Sequence, residues 1–223
     1  MMIKPSIVLF FTLIVFNGLT QAKSDESIDT IVEHNSPSNL DMSRHQLFID
    51  TTRESEYYKS RNWRHLDSAN NYVKVLINDL FEEVDKYQKV ELDAFPLTWT
   101  VIRKYGEKLV LYDRCDGSDP FYRISDSTLN VYGPLEFNAY IITDVFEKTK
   151  EQVILELLDH DNSKLTFSIT ELDRAGVYCL NFKSDTIDET VFVIPTDKMV
   201  DYNLLVNHCP NYKVTEYIRI LDQ

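Results

Sequence analysis

The stretch TVFVIPTDKMVDYNLLVNHC, residues 190–209, decides the fold. It reads as two β-type runs meeting at a Thr-Asp corner, the second ending in a cysteine. Val, Ile, Phe, Tyr and Leu at this density suit a pleated, half-buried surface. Runs of the same kind fill the chain from Pro96 onward: LTWTVIRKY, KLVLYD, TLNVY, FNAYIITDVF, QVILELL, KLTFSIT and GVYCLNF precede the stretch, and VTEYIRIL follows it. Turn chemistry separates them, in DGSDP, YGP, HDNSK, DRAG, SDTIDE and CPNYK. Short consecutive strands without intervening helices predict an antiparallel meander, and closure into a barrel removes its exposed edges. The expected class is mainly β, an antiparallel up-and-down barrel over residues 93–223.

The chain ahead of that unit divides into three. Residues 1–22 carry Lys4, an apolar run from Ile7 to Val15 and a small-polar end at Ala22. This is the pattern of a cleaved secretory signal peptide, with a run too short to span a bilayer. Residues 23–53 are polar with little periodicity and read as a flexible leader. In 54–92, Leu66, Ala69, Tyr72, Val73, Leu76, Leu80 and Val84 recur at steps of three and four, which predicts an amphipathic helix. The expected protein is therefore secreted and extracellular, with no membrane span.

Charge narrows the partners. Lys and Arg total 23 against 36 Asp and Glu, a formal net charge of −13. Such a surface repels nucleic acid and anionic lipid. With five glycines the chain holds no GxxxxGK or GxGxxG phosphate loop, and no CxxC or HExxH is present. The five histidines are scattered, so neither a metal site nor a cofactor is expected. No N-x-S/T acceptor occurs. The 12% aromatic content suits a packed β core or an apolar pocket.

The decisive stretch resembles the penultimate hairpin of a lipocalin: an apolar strand Phe192–Pro195, a corner carrying Thr196, Asp197 and Tyr202, and a Leu-Leu-Val strand ending in Cys209. Val214–Gln223 stands where that family places its closing strand. At the other end, Thr98-Trp99 followed by Val101–Tyr105 and Cys115 is similar to the family's opening strand. Leu97 replaces the family's glycine there, and Asp222-Gln223 replaces its late arginine. The resemblance implies that the 190–209 hairpin and the last strand complete the barrel. It also implies that Trp99 packs structurally at the closed end and that the 54–89 helix covers the barrel wall in place of the family's C-terminal helix. A second resemblance rests on Leu129–Leu135, which is similar to a turn of the juvenile-hormone-binding/takeout and mite group 7 allergen type, a lipid-binding fold.

Three cysteines leave one unpaired. Cys115 with Cys209 ties an early strand to a late one, and Cys179 with Cys209 stays open as the alternative. Cys179 lies mid-strand among Val177, Tyr178, Leu180 and Phe182. It reads as an inert thiol, and a catalytic thiol inside the cavity is the rival reading. Asp159-His160-Asp161 falls in a turn and reads as a solvated hairpin tip. No catalytic residue is expected.

Side chains alternate along strands. Tyr140 and Ile142 share one face, Val153 and Leu155 another, and Leu165, Phe167 and Ile169 a third. These are the candidate pocket residues, and a filled core needs the same pattern. The functional expectation is a non-enzymatic carrier that binds a small hydrophobic molecule in a barrel cavity. The alternative is an interaction or inhibitor protein with a filled barrel, which meets a protein partner through loops or the N-terminal helix. The state of the cavity discriminates the two.

Overall fold

The computed structural model describes residues 31–34, 43, 45–60, 75, 77–79, 81–82, 87–92, 95–115, 117–133, 137–172 and 176–210. In chain order the elements are β1 (Ile31–His34), β2 (Gln46–Asp50), helix α1 (Glu56–Ser60), β3 (Thr98–Val101), β4 (Arg103–Tyr105), β5 (Lys108–Arg114) and β6 (Gly117–Ser118). There follow β7 (Phe121–Ser125), β8 (Thr128–Tyr132), β9 (Phe137–Lys148), β10 (Gln152–Leu158), β11 (Lys164–Glu171), β12 (Tyr178–Lys183), β13 (Asp188–Pro195), a 3₁₀ turn (Thr196–Asp201) and β14 (Asn203–His208).

Strands β7 to β13 form a meander, and β3 closes it by pairing with both β13 and β7. The result is a closed eight-stranded antiparallel barrel. Its logic is visible in β10 and β11, where buried and half-exposed residues alternate. Val153 pairs with Ile169, Leu155 with Phe167 and Leu157 with Leu165, so the apolar residues of the two strands fall on one face. Register shifts in the β9–β10 ladder bend the wall, as bulges do. The tips use left-handed residues where the chain reverses: Asp126 has φ 46° between β7 and β8, and Asn162 has φ 59° between β10 and β11.

A second sheet has the order β1-β2-β14-β5-β4, with β6 beside β5. Strand β14 runs antiparallel to β2 and parallel to β5. The chain enters this sheet directly from barrel strand β3, continues through β4, turns at Gly106 (φ 57°) and returns to the barrel after β6. One face of the sheet lies on the outer barrel wall, where Phe48, Leu111, Leu204 and Val206 meet Ile102, Val177 and Ile194. Leu47, Ile49, Val110, Tyr112 and Leu205 cluster on its other face.

Two expectations are corrected here. The stretch 190–209 is not a hairpin: β13 belongs to the barrel, β14 to the second sheet, and the 3₁₀ turn carries the chain between them. The barrel closes through β13 and β3 without β14. The reason lies in β14 itself, whose Leu204, Leu205 and Val206 are all buried. A strand buried on both faces needs cover on both, and β14 finds it inside the second sheet, between β2 and β5 and with the barrel wall against one face. Residues 46–50, read as part of a flexible leader, form strand β2 with Leu47, Phe48, Ile49 and Asp50 all buried.

Other expectations fall on residues that are not described: the signal peptide, the last strand at 214–223, and the helical positions Leu66, Ala69, Tyr72, Val73, Leu76, Leu80 and Val84. Of the 54–92 segment, α1 and the helical positions Ile77 and Phe81 are seen, and the latter two pack against Ala139 and Ile141. Among the described residues no helix is long and apolar enough to cross a membrane.

Candidate functional site at the open end of the barrel

The seven residues singled out from alternation all belong to the barrel interior. Ile142, Val153, Leu155, Phe167 and Ile169 have no exposed surface, Leu165 keeps 6%, and Tyr140 is half-buried. A cavity that admits a water-sized molecule leaves its walls accessible. Walls with none are in contact with one another, so the deep interior is packed. Aromatic rings do much of the filling. Phe182 stands 4.8 Å from Phe167 and 5.8 Å from Tyr122, centroid to centroid. Trp99 is fully buried beside them, and its Nε1 finds no hydrogen-bond partner among the described residues.

The interior opens at one end. There Tyr122, Val131, Asn138, Tyr140, Leu165 and Phe182 line a cavity of about 210 Å³. Registers put them there: Phe182 pairs across the wall with Glu189, Tyr122 with Val131, and Val131 with Asn138. Tyr140 and Leu165 thus border open space, while the other five candidates lie in the packed part. Burial pushes the Tyr122 phenol well above its ordinary range, and the nearby Glu189 carboxylate adds to this. Tyr140 is raised by burial, then by Asp159 and Glu189. Both rings therefore stay neutral donors across ordinary pH.

A second opening adjoins the first. Strand β3 pairs with β13 only at Val193–Pro195, and beyond it Ile102 N donates to Phe192 O at 2.9 Å. The first half of β13 then parts from the chain that leaves for the second sheet. The slit between them has a volume of about 430 Å³ and is lined by Ile102, Arg103, Lys104, Arg114, Val191 and Phe192, among others. Pro120, Tyr122 and Glu189 line both cavities, so the slit and the mouth lie side by side, together a trough.

Asp119, fully buried, organises the slit. Arg103 donates to it through Nε at 3.0 Å and Nη2 at 2.8 Å, and Arg114 through Nε at 3.0 Å and Nη2 at 2.6 Å. Two guanidiniums thus flank one carboxylate. Their side chains keep 27% and 29% of their surface exposed. Sequence reading missed this cluster. Arg103 lies within the run LTWTVIRKY and Arg114 just after KLVLYD, and only a fold that brings β4–β6 back on β7 unites them with Asp119.

The remaining expectations can be placed. Cys115 and Cys209 are disulfide-bonded, with Cα atoms 5.3 Å apart, and join the ends of the parallel neighbours β5 and β14. His45 lies beside them, but the bonded sulfurs offer no thiolate to a metal. Cys179 is the free cysteine. Its neighbours Tyr178 and Leu180 face the interior, so the thiol sits on the outer wall rather than in a cavity. Burial raises its pKa, the opposite of thiolate activation. Asp159-His160-Asp161 is an exposed tip, where Asp159 Oδ1 accepts from the N–H groups of Asp161 (2.9 Å) and Ser163 (2.8 Å). Thr196 and exposed Asp197 begin the 3₁₀ turn, and Tyr202 packs against the cluster between the barrel and the second sheet. No family model matches the chain, and neither the curated proteins nor the solved structures contain one detectably similar to it.

Proposed function

We propose that the protein is a lipocalin-like, non-enzymatic carrier that binds a small hydrophobic or amphiphilic molecule at the open end of its barrel. The observation behind this reading is the trough, an aromatic-floored mouth beside a wider slit. Concave apolar surface with a few convergent polar groups is the usual form of a small-molecule site. Burial supplies the affinity, on the order of 25 cal/mol per Å² of apolar area removed from water. Tyr122, Tyr140 and Asn138 supply orientation. The ligand sits at the mouth because Phe167 and Phe182 fill the depth. The Cys115–Cys209 bond fits an oxidising compartment, in keeping with secretion.

The packed interior favours a second reading, a filled barrel that meets a protein partner through its surface. One experiment separates the two. Native mass spectrometry of the secreted protein, before and after solvent extraction, is expected to show a small adduct that extraction removes. Leu165→Trp fills the mouth and is expected to abolish the adduct with the thermal unfolding transition retained. A bare mass in every spectrum leaves the filled-barrel reading.

A further inference from the structure

We propose that the slit is a docking edge for an extended segment of a partner protein, which adds to β13 as an antiparallel strand and carries an apolar residue followed two positions later by a lysine or arginine. This goes beyond the mouth reading and does not depend on it.

The backbone points there first. Strand β13 pairs with β12 along Asp188–Val193 but with β3 only at Val193–Pro195. Ile102 N donates to Phe192 O, and the chain then leaves to pair Arg103 with Val110 in the second sheet. Phe192 O thus points toward the β3 side. Backbone groups alternate along a strand, so the N–H and C=O of Thr190 and Asp188 point the same way. Glu189 O bears out the alternation, since it faces β12 and accepts from Asn181 Nδ2 at 3.2 Å. Thr190 and Asp188 are exposed, and among the described residues no strand lies opposite their slit-side groups. The slit runs along this edge, with Thr190, Val191 and Phe192 on one side and Ile102 and Lys104 on the other. An unpaired edge is a template for one more strand.

Side chains set the chemistry of the guest. A strand continuing the line of β3 runs antiparallel to β13 and meets Val191, Thr190 and Glu189 in turn. Its residue opposite Thr190 exchanges both main-chain hydrogen bonds with it. Its residues on either side share the face of Val191 and Glu189. Val191 packs against the barrel core and shares the slit with Tyr122, so the guest residue opposite it meets apolar surface. Asp185, Asp188 and Glu189 are exposed and have no cationic partner among the described residues. A basic residue opposite Glu189 therefore gains a cross-strand charge pair. The net charge of −13 favours the approach of a cationic segment and opposes pairing of this edge with a second copy of the chain.

The test is fluorescence anisotropy of the full chain with the labelled peptide STVTKTS, whose valine and lysine stand in the required order and spacing. N-methylation of the threonine between them removes the donor that faces Thr190 and is expected to weaken binding about tenfold, the weight of one or two main-chain hydrogen bonds. The reversed order STKTVTS is expected to bind about as weakly. Thr190→Pro removes the slit-side N–H without touching a bond to β12, and is expected to weaken STVTKTS by about tenfold. Glu189→Lys, at an exposed site, is expected to weaken STVTKTS and leave STVTQTS unchanged, and it stays informative if Thr190→Pro fails to fold. Binding indifferent to N-methylation and to Thr190→Pro overturns strand addition. Equal binding of STVTKTS and STKTVTS, or binding unchanged in Glu189→Lys, overturns the assigned guest. Failure of STVTKTS to bind overturns the proposal. Dimerisation of the free chain that Thr190→Pro abolishes overturns the foreign partner in favour of a second copy. The adduct expected at the mouth is read in separate spectra, so each reading stands or falls alone.

Discussion

Asp50 shows how much one buried residue can carry. It ends β2 with 1% of its surface exposed, in a position where a carboxylate is costly. Burial pushes its pKa up, but hydrogen bonds from the Ser55 hydroxyl and from the Thr52 hydroxyl and backbone N–H outweigh that, and the net shift is downward from 3.8. Ser55 Oγ also accepts from Tyr58 N at 3.1 Å, so the same group caps the first turn of α1. A carboxyl whose pKa is lower folded than unfolded stabilises the fold fully above its unfolded value. That contribution is lost as the pH falls through the lowered folded value. Urea unfolding at pH 6 and at pH 3 is therefore expected to show a loss of stability that Asp50→Asn largely removes. An equal loss in both proteins would show that Asp50 is not its source. In the sequence this residue was one polar letter in a polar leader. The apolar triplet Leu47-Phe48-Ile49 beside it was the available sign of a strand, too short to stand out from its surroundings.

At the scale of elements, what was legible followed from periodicity. The runs that became β10 and β11 alternate cleanly, and alternation alone placed Val153, Leu155, Leu165, Phe167 and Ile169 on the inner face. Strand β14 was misassigned because its partners, β2 and β5, are far away in sequence. Its continuous Leu-Leu-Val run signalled burial on both faces without saying against what. The Cys115–Cys209 bond joins two such distant neighbours and closes a loop of 94 residues. In the chain-entropy model a loop of that length is worth roughly 4–5 kcal/mol. Replacing both cysteines by serine is expected to lower the free energy of unfolding by about that amount, or by somewhat less if the unfolded chain is compact. Hydrogen exchange should rise first in β5 and β14 and later in the barrel meander. Uniform acceleration across both sheets would mean that the two open as one unit. Cys179→Ser serves as the control, because a half-buried thiol outside the bonded pair carries no such constraint.

For the molecule as a whole, the barrel is a container that its own side chains have largely filled. Sequence reading found the wall and most of the filling, but the trough arises from a mismatch that no local pattern records. Strand β3 is four residues long and β13 is eight, so part of β13 parts from the neighbour that would seal the wall. Phe182 marks the boundary between open mouth and closed depth. It keeps 7% exposure at the mouth and touches Phe167 below it. Truncation to alanine removes the ring from a site that cannot fully collapse, because closed strand ladders fix the walls. The cost expected is about 3–5 kcal/mol. The same change should extend the mouth downward into an apolar space lined by Phe167 and Leu155. With the ligand in the mouth, Phe182→Ala is expected to shift the preferred length of a bound apolar chain upward. Such a shift, read by calorimetry across a series of linear alcohols of increasing length, would identify Phe182 as the residue that sets ligand length. Destabilisation with an unchanged length preference would place the ligand wholly in the slit and leave Phe182 a core residue alone.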